Sequence, residues 1–433
     1  MDALIVYASA LADAFLSGDV DLDSLKSHGH RCLGYSPPWL EPLCKVIVKN
    51  NLAQQTELLI DYIYHYKPLR SAWLRSDFKH AIAYYYLPET KAKAPAYFVD
   101  QSVERLSTVA ELCNFLDMDE SHLLWLSDPW GSTQEHTQGP LQHYIYRWIN
   151  KKSANGMRLL EIPKARLMSI QRKIHRDLLS KIPIHPSAHG FAQNRSIVSY
   201  TDAHLDKQWV LRLDIKHFFT SVSYARIYTI FSSLGYPRPV VRLLSLLCTN
   251  RAPSRVIGRK IDDWSVRKTL QAPHLPQGAP TSPPLSNLAA FNLDCRLTAL
   301  ASRIDCNYSR YADDLLFSSN TYRNLNHLIA FIGSIVLDEG FVLNYRKTRV
   351  MGKGQRQTAT GIVLNKHHNM PRKDYQQLKA ILHNCLTKGV ASQARGHSNY
   401  YAFLKGKISH LAALNPAKAE KLQKMFVQID WTS

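Results

Sequence analysis

The chain has 433 residues, 45% of them hydrophobic, and carries 54 Lys plus Arg against 34 Asp plus Glu, a formal net charge of +20. That apolar content excludes a disordered chain, the length allows more than one domain, and no apolar run is long enough to span a bilayer. The charge suits a polyphosphate partner, although a membrane surface would also attract it.

Residues 1 to 145 show helical periodicity, as in Thr56-Glu-Leu-Leu-Ile-Asp-Tyr-Ile-Tyr and Ser107-Thr-Val-Ala-Glu-Leu-Cys-Asn-Phe-Leu, and reach a turn-rich break at Asp128-Pro-Trp-Gly-Ser-Thr. The Met1-Asp-Ala-Leu start lacks the positive leader of a signal peptide. Tyr62, Tyr64, Tyr66, Trp73, Tyr84, Tyr85 and Tyr86 are interleaved with lysines and arginines. Such aromatics either stack on unpaired bases or pack as core, and core is the commoner fate.

Val210-Leu-Arg-Leu-Asp214-Ile-Lys-His-Phe-Phe219 reads as a strand of alternating apolar residues that ends at Asp214 and runs into an aromatic pair. A Gly/Pro-punctuated loop follows at Leu275-Pro-Gln277-Gly278-Ala-Pro-Thr-Ser282-Pro-Pro-Leu-Ser-Asn287. Tyr311-Ala-Asp313-Asp314 then lies between two apolar, strand-like runs. Its paired carboxylates have two readings, turn chemistry or ligands for Mg²⁺. A strand ending in Asp214, combined with this later Asp-Asp hairpin, favours a two-metal nucleotidyl transferase. From Pro371 onward the pattern is helical and basic, including Tyr400-Tyr-Ala-Phe-Leu-Lys405-Gly406-Lys407.

Several motifs, in order, resemble those of the reverse transcriptases, from about residue 150 to the end. Asp214, Asp313 and Asp314 fall at the family's three catalytic carboxylates, and Gln277-Gly278 at its Pro-Gln-Gly segment beneath the templating base pair. Arg158-Leu-Leu-Glu-Ile-Pro163 with Ile170-Gln-Arg-Lys-Ile174 is similar to bacterial fingers, which implies that Arg158 meets the triphosphate, with Lys151 or Lys152 second. Ala188-His-Gly-Phe-Ala-Gln-Asn-Arg195 looks like the template-contacting block, Asn344-Tyr-Arg-Lys347-Thr348 like the lysine motif, and Thr360-Gly361-Ile-Val-Leu-Asn365 like the primer grip. Lys347 would then protonate or electrostatically stabilise pyrophosphate, or simply contact phosphate. Phe219 occupies the ribose-gate position, with Phe218 as the alternative.

The resemblance implies an α/β (α+β) right-hand polymerase. Residues 1–145 would form a helical accessory domain, 146–365 fingers and palm, and 366–433 a helical thumb whose Lys405 and Lys407 contact the duplex. Two Mg²⁺ ions, with Mn²⁺ as a substitute, would serve Asp214, Asp313 and Asp314. The bacterial retron enzymes are the most similar group, although Tyr200-Thr-Asp-Ala-His204 keeps only the His of their Asn-Ala-x-x-His element and Ala359-Thr-Gly361 stands for Val-Thr-Gly.

Membership there implies a noncoding RNA template copied into single-stranded DNA, dNTP substrates, an effector protein, no membrane partner and a role in antiphage defence. The alternatives are another bacterial reverse transcriptase, intron-derived or defence-associated, and a non-catalytic RNA-binding scaffold. The absence of a maturase or endonuclease tail after the thumb counts against an intact intron protein. Seven cysteines without a close zinc-type pair fit reduced thiols in a cytoplasmic protein.

Overall fold

The computed structural model describes residues 3–17, 20–50, 52, 56–75, 78, 81–84, 86, 103–129, 131, 142–150, 157–258, 261, 263–321, 324–394, 396–397 and 399–431. Tyr85, Lys151 and Lys152 lie outside the described residues. The chain divides into two compact units, Met1–Ile182 with Val222–Leu285, and Pro183–Ser221 with Ser286–Ser433.

The first unit begins with the helices Ala3–Phe15, Leu22–Leu33, Leu40–Lys49 and Thr56–His65. The second starts where the Asp21 carboxylate accepts from the Asp23 and Ser24 amides, and stops at Gly34 in the left-handed region (φ 74°). Leu11, Phe15, Leu25, Leu43, Ile47 and Leu59 are buried together between these helices. Tyr86 is buried in the same core, and Tyr62, Tyr64, Tyr66, Trp73 and Tyr84 pack against it partly buried. Packing therefore occupies the aromatic run. Thr108 and Asp119 cap the short helices Val109–Leu116 and Glu120–Ser127. Strands β1 (Tyr144–Asn150) and β2 (Met157–Pro163) then form an antiparallel ribbon.

The second unit is built on a four-stranded antiparallel sheet of β3 (Trp209–Asp214), β4 (Asn307–Tyr311), β5 (Asp314–Ser319) and β6 (Arg349–Gly352), in the order β4-β5-β3-β6. The apolar alternation expected of β3 implies one wet face. Instead every residue of β5, and all of β3 except Arg212, is buried. One face is covered where Tyr308 packs on Phe317 and donates to Asp294 of the helix Phe291–Arg303, and the other where Tyr200 packs with Val210 and Leu316.

The small ribbon β7 (Thr358–Ala359) with β8 (Ile362–Val363) follows. The helices Arg372–Lys388, Tyr400–Leu414 and Pro416–Val427 share a core of Leu378, Leu382, Leu404, Leu411, Leu422 and Phe426. The last begins with Asn415 as cap and Pro416 in its first turn, which suits a helix start. No helix among the described residues is long and apolar enough to cross a membrane.

Candidate active site

Strand register brings the carboxylates together. Asp214 ends β3 and pairs directly with Asp314, the first residue of β5, so both side chains leave the same face of the sheet. Tyr311 pairs with Asp314 across the β4–β5 hairpin, leaving Ala312 and Asp313 as its two-residue tip. The Ile215 amide donates to the Asp313 carbonyl at 2.9 Å, which fixes the tip against the end of β3.

The tip has an unfavourable backbone that a buried scaffold holds in place. Ala312 adopts φ 53°, a left-handed conformation that costs an L-residue roughly 1–2 kcal/mol. Arg310, fully buried, donates to the Ala312 carbonyl at 3.2 Å and to Asn287 Oδ1 at 3.0 Å, and forms an ion pair with Asp294 at 2.6 Å. Asn287 in turn donates to the Gly190 carbonyl at 2.8 Å. A Cβ on Gly190 would stand 2.6 Å from the Ala312 nitrogen, so only glycine allows this approach. Sequence reasoning missed Arg310 and Asp294. Their signal was a charged residue inside each of two apolar periodic segments.

Each outer carboxylate faces a cation. Lys347 Nζ lies 2.8 Å from Asp214 Oδ2, and Asn344 donates to Asp214 Oδ1 at 3.2 Å. Arg212 grips Asp314 through both oxygens, at 2.9 and 2.8 Å. Arg212 was also missed, because only the register shows that it lies diagonal to Asp314. Asp313 makes no such pair among the described contacts. Burial, then the charges of Asp314 and Asp214, push its carboxyl up to about 6. Burial also raises Asp314, with Arg212 opposing the shift. Among the described residues, no group of three or more His, Cys, Asp or Glu is gathered as a metal cage. The donor set itself, three carboxylates with one strongly repelled by the others, suits hard divalent cations.

The remaining predicted positions divide between the units. In the second unit, Phe219 is partly exposed and faces Phe191 at 5.9 Å, whereas Phe218 is buried against Phe341 at 5.7 Å and under the Arg310 guanidinium at 5.6 Å. Arg195 is exposed and donates to the Pro186 carbonyl at 3.0 Å. Thr360, Gly361 and Lys407 line one cavity of about 500 Å³ together with Phe403 and His410. Lys405 is not part of that lining; it lies over the Tyr401 ring at 5.6 Å.

In the first unit, Arg158 is an exposed β2 residue paired with Ile149. The Gln277 carbonyl accepts from the Glu161 amide at 2.8 Å, and a Cβ on Gly278 (φ 130°) would stand 3.0 Å from the Glu161 carbonyl oxygen. A buried network secures this contact: the Glu161 carboxylate holds His274 at 2.8 Å and accepts from Asn250 at 2.8 Å. His204, the residue retained from the Asn-Ala-x-x-His element, is buried and bridges β5 to β4 through Ser318 Oγ (2.7 Å) and Ser309 Oγ (2.8 Å).

Residues 149–364 match the family model described as reverse transcriptase (RNA-dependent DNA polymerase). The chain is similar to the retron Mx65 reverse transcriptase of Myxococcus xanthus, 36% identical over 66% of this chain and 64% of that one. Similarity to the retron Mx162 reverse transcriptase of the same organism is 34%, over 67% of this chain and 62% of the relative. The retron Ec86 reverse transcriptase of Escherichia coli is 28% identical over 65% of this chain and 82% of its own length. The match thus spans less than two thirds of either Myxococcus protein.

Proposed function

Since the chain belongs to the reverse transcriptase family as a retron-like member, we propose that it is an RNA-directed DNA polymerase that copies a structured noncoding RNA into single-stranded DNA. The observation that carries this reading is the in-register pairing of Asp214 with Asp314, with Asp313 on the hairpin tip beside them. Bound Mg²⁺ would activate the primer hydroxyl and stabilise charge on the leaving pyrophosphate.

Asp214, Asp313 and Asp314 would hold the ions, and Asp214 would have to release Lys347 to do so. Lys347 is about half exposed and has room to move to the phosphates, where its ammonium offsets developing charge or donates a proton. Arg212 orients the Asp314 carboxylate and opposes the rise in its pKa that burial causes. Phe219 closes the space a 2′-hydroxyl would need, while Arg158, Gln277 and Gly278 are assigned to the nucleotide and templating pair. Arg195, Thr360, Gly361, Lys405 and Lys407 are assigned to template and primer. On this reading residues 1–145 form an accessory domain, 146–365 fingers and palm, and 366–433 the thumb. The RNA and its DNA product are partners, dNTPs are substrates, and an effector protein completes an antiphage system.

Primer extension on an RNA template with Mg²⁺ tests the reading. The wild-type protein is expected to incorporate dNTPs, and Asp313→Asn to lose at least about 100-fold in rate, the scale for removing one well-placed charge-stabilising group. Near-normal incorporation by folded Asp313→Asn protein would refute the assignment. A wild-type protein that binds RNA but extends no primer would favour the scaffold alternative.

A further inference from the structure

Glu161 and His274 lie inside the first unit at 0% and 1% exposure, with the carboxylate 2.8 Å from the ring. The imidazole meets an oxygen at each nitrogen, the Ala272 carbonyl at Nδ1 (2.7 Å) and the Glu161 carboxylate at Nε2 (2.8 Å). Neither oxygen can donate while Glu161 is ionised, so both ring nitrogens carry protons and the ring is cationic. Burial opposes that charge, and the adjacent carboxylate overrides it, raising the His274 pKa above its ordinary value. The other carboxylate oxygen accepts from Asn250 Nδ2 at 2.8 Å, and the same amide nitrogen donates to the Tyr146 hydroxyl at 3.1 Å.

These groups join three segments. Glu161 is on β2, Asn250 follows the helix Arg238–Cys248, and His274 opens the loop that carries Gln277 and Gly278. Backbone bonds run alongside: His274 and Asn250 exchange amide-to-carbonyl bonds at 3.0 and 2.9 Å, and the Glu161 amide donates to the Gln277 carbonyl at 2.8 Å. The loop is therefore fastened to residue 161 by two rungs, one through the backbone at Gln277 and one through the His274 side chain. Two positions earlier, Leu159 leaves the same face of β2 and packs with Ala252, Ile257 and Leu270. Apolar packing of that kind would serve stability at Glu161 as well, since replacing a buried ion pair by hydrophobic residues is often neutral or stabilising. What the pair adds is a fixed direction and spacing. Arg158 lies three strand steps from Glu161, roughly 10 Å at about 3.3 Å per residue. One strand thus carries both the residue assigned to the triphosphate and the anchor of the loop assigned to the templating pair.

We propose that Glu161 and His274 are positioning residues for the incoming nucleotide: their hydrogen bond sets the height of the Gln277–Gly278 loop over β2, and with it the slot that admits a matched base pair. The inference rests on the polymerase reading and adds to it a determinant of nucleotide affinity and fidelity. Both side chains are buried, so they act through the loop backbone and through the strand of Arg158 rather than by touching substrate.

The test compares two full-length variants in single-nucleotide incorporation on a DNA-primed RNA template of defined sequence. Glu161→Leu with His274→Leu removes the side-chain rung and both charges together. Glu161→Gln keeps every bond, because its oxygen accepts from Asn250 and its nitrogen donates to a neutral His274 that still donates to Ala272. The Leu pair is expected to raise KM for the matched dNTP about tenfold, to change kcat by less than about threefold, and to raise the relative efficiency of mismatched dNTPs. Glu161→Gln should restore all three to near the wild-type values. Exchange of the Glu161 and Leu275 amides, which donate to the Gln277 and Val222 carbonyls, should quicken in the Leu pair alone when followed without substrate. Unchanged KM and mismatch ratio in folded Leu-pair protein would overturn the proposal. So would an equal fall of kcat and kcat/KM with a lowered melting temperature, which marks a purely structural pair, or a Glu161→Gln protein as impaired as the Leu pair. If the Leu pair does not fold, Glu161→Gln with His274→Asn breaks the rung with neutral polar groups and is held to the same outcomes. If the wild-type protein extends no primer, the polymerase reading fails by itself, and the loop anchor stands on quickened exchange in the rung-breaking variant or is overturned by unchanged exchange.

Discussion

Asp313 carries a charge that the metal-free fold tolerates poorly, because burial and two flanking carboxylates oppose its ionisation. Its folded value near 6 lies above the roughly 3.9 of an unfolded Asp, so its ionised form destabilises the fold at pH 8 and the penalty vanishes once both states are protonated. Asp313→Asn should therefore raise the melting temperature of EDTA-treated protein at pH 8 by a few degrees and leave it nearly unchanged near pH 3. Calorimetry at both pH values checks this. The adjacent phenylalanines should respond differently. Phe219→Ala is expected to raise ribonucleotide use relative to deoxynucleotide in single-turnover incorporation, since a discrimination built on a clash disappears with the clashing ring. Phe218→Ala removes a buried ring and should instead cost about 3–5 kcal/mol of stability, read from urea midpoints.

At the scale of elements, the Arg310–Asp294 pair joins the helix Phe291–Arg303 to β4 and braces the strained Ala312 tip. Breaking it with Asp294→Asn leaves a fully buried guanidinium uncompensated, and a loss of about 3–5 kcal/mol is expected in urea unfolding. His204 stitches β4 to β5 as a neutral imidazole whose pKa burial lowers to about 3. Unfolding releases it to about 6.5, so its contribution is complete above that pH and is lost as pH falls from about 6.5 towards 3. A His204→Gln protein should show a flatter decline of the urea midpoint over that window. The strand ends and the hairpin were legible in the sequence because apolar runs stopped at Asp214 and at Tyr311-Ala-Asp313-Asp314. The residues that orient those carboxylates were not legible. Arg212 and Arg310 serve through pairing register and through partners remote in sequence, and local patterning contains neither. β3 also read as half-wet because its two-sided cover comes from Tyr200 and from the helix Phe291–Arg303, on either side of it in the chain.

On the scale of the whole chain, helical periodicity in the first third was readable, and the described aromatic residues there serve its own core. Trp73→Ala should lower thermal stability, while exposed Arg75→Ala should not, and only the latter reports on RNA contact in a filter-binding assay. Both compact units are discontinuous in sequence: residues Val222–Leu285 of the first interrupt the second. β3 leaves the ribosome well before its neighbours, because its partner β5 begins at Asp314, one hundred positions after Asp214. At about 5–20 residues per second the strand Trp209–Asp214 waits roughly 5–20 seconds without a hydrogen-bonding partner, and its other neighbour, β6, emerges later still. During synthesis the chain therefore has an assembled N-terminal helical core and an orphan apolar strand at the same time. Nascent-chain force profiles should register a pull when the first helices clear the exit tunnel, and the next from the sheet only after β6 has emerged. The sheet that carries the carboxylates is thus the part of the molecule most dependent on chaperones, and overproduction without them is expected to fail there first.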